Sequence, residues 1–244
     1  MALPVLETMK YKTKIPSLDM EVWFRPYVNK EEKILLMAME TEKEEVIVKA
    51  LIDIIDICLQ VPENKDLPNI KDLPLFDIQF LFSRIRAKSV DEVVEFKHTC
   101  PHCKNQTSME VNIEDMKIFG IEKAKKDNKV MINDSIGVML HYPNYEAAKF
   151  YLSMDEKGSI VEARNKLVIG CISKVFDNEA VYNMKDESEE EKLKFFDSIP
   201  VSVRNKIEEW IEDQPEFKHN FDYVCEKCGK PVKFSIQGVY DFFT

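Results

Sequence analysis

Four of the six cysteines stand in two pairs of one spacing, Cys100-Pro-His-Cys103 and Cys225-Glu-Lys-Cys228. A CxxC turn after a strand points two thiolates into one site. Two such turns facing each other supply the four soft ligands that tetrahedral zinc takes. Strand-like runs flank both pairs: 92–99 and 108–113 around the first, 217–224 and 231–236 around the second. The pattern predicts a zinc ribbon holding one structural zinc per chain on Cys100, Cys103, Cys225 and Cys228. Gly229, just after the fourth cysteine, suits a backbone reversal at positive φ. Backbone N–H groups, with Lys104, Lys227 and Lys230, offset the negative charge of a four-thiolate zinc.

Other chemistry competes for the same residues. CPHC also resembles the active-site turn of a thiol oxidoreductase, but that chemistry needs the first cysteine at a helix N-terminus, where its thiolate is stabilised. The residues after Cys103 alternate as a strand does. His98 and His102 lie near the first pair, but four cysteines satisfy the metal, so both are expected to face solvent. Cys58 and Cys171 sit on apolar helical stripes and are expected to be small core residues. His141 and His219 carry no assignment.

The elements around the pairs are legible from periodicity and caps. Residues 10–28 read as a hairpin turning at 16–19. Asn29 with Glu32, and Thr41 with Glu44, have capping-box spacing and predict helices from about 29 and over 42–59. A third helix is expected over 75–87. Residues 129–142 read as a hairpin turning at Asn133-Asp134. From 145 to about 210 the pattern reads as helical, most strongly over 159–176. Ser188 with Glu191 is another capping box, so the acidic run 186–191 reads as a solvated helix start.

The two pairs are separated by the 121 residues 104–224, whereas an ordinary ribbon needs about 15–20. The ribbon must therefore be split. Loop-closure cost grows only logarithmically, so a metal can close it if the insertion brings the ends together. The fold class expected is α+β. An N-terminal hairpin and helical region (1–91) is followed by a split four-cysteine zinc ribbon (92–115 plus 216–244), interrupted by a mainly helical insertion (116–215).

Composition narrows the function. The chain has 244 residues, with 34 Lys and Arg against 44 Asp and Glu, a formal net charge of -10. Such a surface repels phosphate backbones. The one basic cluster in the sequence, within 117–129, is broken by Glu122 and Asp127. A nucleic-acid or transcription-associated zinc ribbon is thus the second reading, and a thiol oxidoreductase the third. The 6 glycines are isolated, which excludes a Walker loop, a Rossmann fingerprint and a G-x-S-x-G elbow. No signal peptide is read at the N-terminus. The most apolar stretch, 46–61, is broken by Lys49, Asp53 and Asp56 and is too polar to span a bilayer.

Several segments carry a resemblance. LPVLET at 3–8, IPS at 15–17, the FRPY-V-x-KEEK-I-LLMA-x-E stretch at 24–40, and L-F-x-x-I-R-A-K-S-V-x-E-V at 81–93 running into CxxC resemble the baseplate hub assembly proteins of T-even-type contractile-tailed phages. The resemblance implies a non-enzymatic structural or assembly role, with other baseplate or hub proteins as partners and no small-molecule substrate, nucleic acid or membrane. It places the protein in the host cytoplasm during assembly, and in the virion tail baseplate if it stays. The aromatic tail 240–243 and the strand-rich N-terminal segment are candidate docking elements.

Overall fold

The computed structural model describes residues 6, 8–61, 66–124, 128–154 and 158–237. The aromatic tail, most of the segment 3–8, and Lys125 and Lys126 of the basic cluster lie outside them.

The chain opens with the expected hairpin. β1 (Tyr11–Ile15) and β2 (Met20–Phe24) pair antiparallel, turning through a short 3-10 segment at Pro16–Leu18. Asp19 closes the turn in the left-handed region at φ 50°. α1 (Asn29–Met39) begins one residue earlier than its capping signal implies. Val28 is the cap, and Glu31, not Glu32, reaches back to accept from the Val28 N–H at 2.9 Å. Glu31 is buried because Arg25 pairs with it at 3.1 Å. α2 (Glu44–Cys58) buries an almost continuous apolar face, and β3 (Leu59–Gln60) adds to β2. Thr41 does not cap α2: Lys43 stands at the cap, and the Thr41 hydroxyl accepts from its N–H. α3 (Leu75–Ser89) completes this region, burying Phe76, Leu81, Phe82 and Ile85.

β4 (Val93–Thr99) and β5 (Gln106–Asn112) form a seven-pair antiparallel hairpin with the first cysteine turn at its tip. β6 (Lys117–Phe119), α4 (Ile121–Ala124), β7 (Lys129–Met131) and β8 (Gly137–Leu140) follow. α5 (Tyr145–Leu152), capped by the Asn144 side chain, packs on α6 (Ile160–Gly170), capped by Ser159.

Here the structure departs from the helical reading of 159–176. The helix stops at Gly170, and residues 172–176 are β9 (Ile172–Phe176), paired with β8 and with β10 (Val181–Asn183). Ile172 and Val175 are β-branched and both buried, three residues apart, with a register irregularity of the facing strand at Met139/Leu140 between them. Pairing with Val138 and Leu140 of β8 decides in favour of the strand. Residues 129–183 therefore hold a four-stranded sheet, in the order β10-β9-β8-β7, beside helices α5 and α6. α7 (Glu189–Ser198) has the expected Ser188–Glu191 capping box, and α8 (Val201–Glu212) follows Pro200. β11 (Glu216–Val224) and β12 (Pro231–Gln237) make the last hairpin, with the second cysteine turn at its tip and β6 on its other edge.

Two large cores result. The first joins the N-terminal hairpin, α2 and α3 to Val94, Val111, Ile113, Phe217 and Ile236 of the cysteine-bearing hairpins. The second lies under β8, β9 and α5 to α8. Cys58 is fully buried in the first and Cys171 in the second, as expected for packing residues. Burial pushes their thiols up, to about 11 and about 12 respectively, so both stay neutral.

Candidate metal centre

The two cysteine turns are built alike. In the first, the Cys100 N–H donates to the Asn105 carbonyl at 2.8 Å and the Lys104 N–H to the Cys100 carbonyl at 2.9 Å. In the second, the Cys225 N–H donates to the Lys230 carbonyl at 3.0 Å and the Gly229 N–H to the Cys225 carbonyl at 2.8 Å. Each turn reverses through a left-handed residue four positions after its first cysteine: Gly229 at φ 66° and Lys104 at φ 60°. Gly229 meets its expectation. Lys104 has no glycine signal, and its left-handed backbone follows from its matching place in the turn.

The turns face each other. Sγ of Cys100 lies 3.9 Å from Sγ of Cys228, and Sγ of Cys103 lies 3.7 Å from that of Cys225. All four sulfurs fall within 4.8 Å of one another. Disulfide sulfurs would be about 2.05 Å apart. The edge of a sulfur tetrahedron around an ion with metal–sulfur bonds of ~2.3 Å is about 3.8 Å. The spacing is thus compatible with a metal site and rules out bonded pairs. Cys100 and Cys225 are buried, and Cys103 and Cys228 partly so.

Electrostatics in the first turn favour a thiolate. The Cys103 N–H, and then that of His102, bonds the Cys100 sulfur and outweighs burial, drawing that thiol down to about 7. At Cys103 the Asn105 N–H acts in the same direction, but burial and the other cysteine sulfurs outweigh it and push the thiol up to about 11. A lowered thiol also marks redox cysteines. Here the lowered thiol is fully buried, and the residues after Cys103 turn directly into β5 with no helix start.

Aromatic packing braces the hairpins. Phe221 and Phe234, cross-strand partners in β11 and β12, stack at 4.9 Å. Phe96 of β4 meets Phe221 edge-on at 5.3 Å. His98 corrects its expectation of facing solvent. Its ring stacks on Phe234 at 3.7 Å, and its Nδ1 is hydrogen-bonded to the Tyr223 hydroxyl at 3.1 Å. His102 is exposed as expected, and neither histidine joins the sulfur cluster. The bracing role of His98 was hidden because it depends on a residue 125 positions away.

Comparison with protein families finds that the model described as T4 bacteriophage base plate protein matches residues 8–244. Neither the curated proteins nor the solved structures show a match.

Proposed function

This chain belongs to the T4 bacteriophage base plate protein family, and from that premise we propose that it is a non-catalytic structural or assembly protein of the tail baseplate hub, held in shape by one structural zinc. The observation that carries the reading is the convergence of four sulfurs from two matched turns. Four thiolates fill a tetrahedral zinc, leaving no open position at which water could be activated as catalytic zinc activates it. The role left to such a site is to staple two hairpins and so fix the surfaces that meet other baseplate proteins. The division into an N-terminal region, a split ribbon and an insertion belongs to the same proposal. It is supported by the second core, whose residues all fall within 116–215, while Met116 and Tyr145 of the insertion join the first core.

Two measurements test this. Elemental analysis of chain purified without chelator is expected to give one zinc per chain. Iron in its place, or intact disulfides, overturns the metal assignment. Deleting the gene is expected to abolish normal tails, and infectious particles at wild-type yield overturn the assembly role.

A further inference from the structure

Below their cysteine turns the two hairpins meet through a polar contact set in an aromatic layer. His98 stands two positions before Cys100, and Tyr223 two positions before Cys225. The two residues thus hold matched places, one on β4 and one on β11. Nδ1 of His98 is hydrogen-bonded to the Tyr223 hydroxyl at 3.1 Å, with the rings edge-on at 5.8 Å. The His98 ring also lies flat on Phe234 of β12, at 3.7 Å and 7°. Tyr223 and Phe234 pack against the four cysteines, and Phe234 packs against the first core as well. Both contacts of His98 therefore cross from one hairpin to the other.

Resting on the zinc reading above, we propose that His98 and Tyr223 are positioning residues of the metal centre. They form a clasp that holds the two cysteine turns face to face and so sets how tightly the chain retains its metal. Neither is a ligand, and both act through the placement of the turns. The four sulfurs come from different hairpins, so they converge only while the hairpins stay together. Parting the tips separates β4 from β11 and breaks the hydrogen bond and the stack at once. The ion binds the closed tips, so its apparent affinity scales with the fraction closed. The clasp raises that fraction. Removing either partner leaves the other half-buried and unpaired, and one net hydrogen bond is worth a factor of about three to ten.

The test uses the full chain, with Zn(II) and Co(II) alone as probes. Tyr223→Phe keeps the ring and removes the hydroxyl, and His98→Phe keeps a ring for the stack and removes Nδ1. Zinc affinity, measured by competition with a chromophoric chelator, should fall about three- to tenfold in each. The double variant should fall no further than the worse single one, because both remove the same bond. The Co(II) absorption bands should match wild type in every variant, since the ligands are unchanged. Ile55→Val, at a buried position of α2, controls for general destabilisation: its denaturation midpoint should drop while its zinc affinity holds. Single variants within about twofold of wild type, additive losses, an equal loss in Ile55→Val, or altered Co(II) bands overturn the clasp. So does loss of the first core's unfolding transition in the variants, which makes the contact a general support of the fold. A wild-type chain that takes up neither ion overturns the zinc reading itself, and the clasp with it.

Discussion

Asp77 is fully buried at the start of α3, where it joins the first hairpin to the helix. One of its oxygens accepts from the Ser17 N–H at 3.1 Å, and the other accepts from the Ser17 hydroxyl. Burial outweighs both bonds and pushes its carboxyl up to about 6. A folded chain that holds this proton more tightly than the unfolded chain is most stable below the unfolded value near 4. It loses that advantage as pH rises through about 6. The loss is at most about 3 kcal/mol, from roughly two pH units at 1.36 kcal/mol each. Asp77→Asn keeps an acceptor for the Ser17 N–H and has no charge to bury. The stability difference between variant and wild type should therefore grow between pH 4.5 and 7.5, and taking the difference cancels any loss of metal. Denaturant unfolding at both pH values checks this, and a pH-independent difference contradicts it. At this scale the sequence was most informative. The cysteine pairs, Gly229 and the two core cysteines were legible because their chemistry is local. Lys104, His98 and Asp77 were not, because a matched turn, a stacked ring and a distant serine define them.

Helix and strand patterns were legible in type wherever a single period ran unbroken, as in α2, α3, β4, β5 and β11. They failed where two periods met. From 160 to 176 the apolar residues fit a helical stripe, yet α6 ends at Gly170 and β9 begins two residues later. Gly170 marks the change for a packing reason that sequence alone does not show. A Cβ there would lie 2.7 Å from the Cα of Ala147 and 2.8 Å from its Cβ, so α5 and α6 approach through the missing side chain. Gly170→Ala meets backbone rather than the yielding end of a long side chain. It should force the helices apart and cost about 1–3 kcal/mol, the range for overpacking a tight core. Chemical denaturation measures this, and a neutral result would show that α5 can shift freely.

Across the whole molecule, the cysteine hairpins are held at two ends by unequal means. Their inner residues, Val94, Val111, Ile113, Phe217 and Ile236, belong to the large first core, and Phe217 packs edge-on against Phe80 of α3. Their tips share only a small cluster of the four cysteines with Tyr223, Val232 and Phe234. That the two distant cysteine pairs meet was legible from their matched spacing, but this unequal anchoring was not, since it depends on which strand ends the helices cover. The physical consequence separates this chain from a free zinc finger, whose metal provides nearly all its folding energy. Under the proposed zinc, the first core is expected to keep the hairpin bases paired when the metal leaves, with only the tips opening. Chelation, or Cys100→Ser, should lower stability by several kcal/mol on the scale of a lost structural metal. Hydrogen exchange should locate the loss. Amide protection should fall around 99–107 and 223–232, while α2, α3 and the bases of β4 and β11 keep theirs, because local opening follows local packing. A single cooperative transition that releases the α2 and α3 amides together with the tips would show that the metal holds the whole first core.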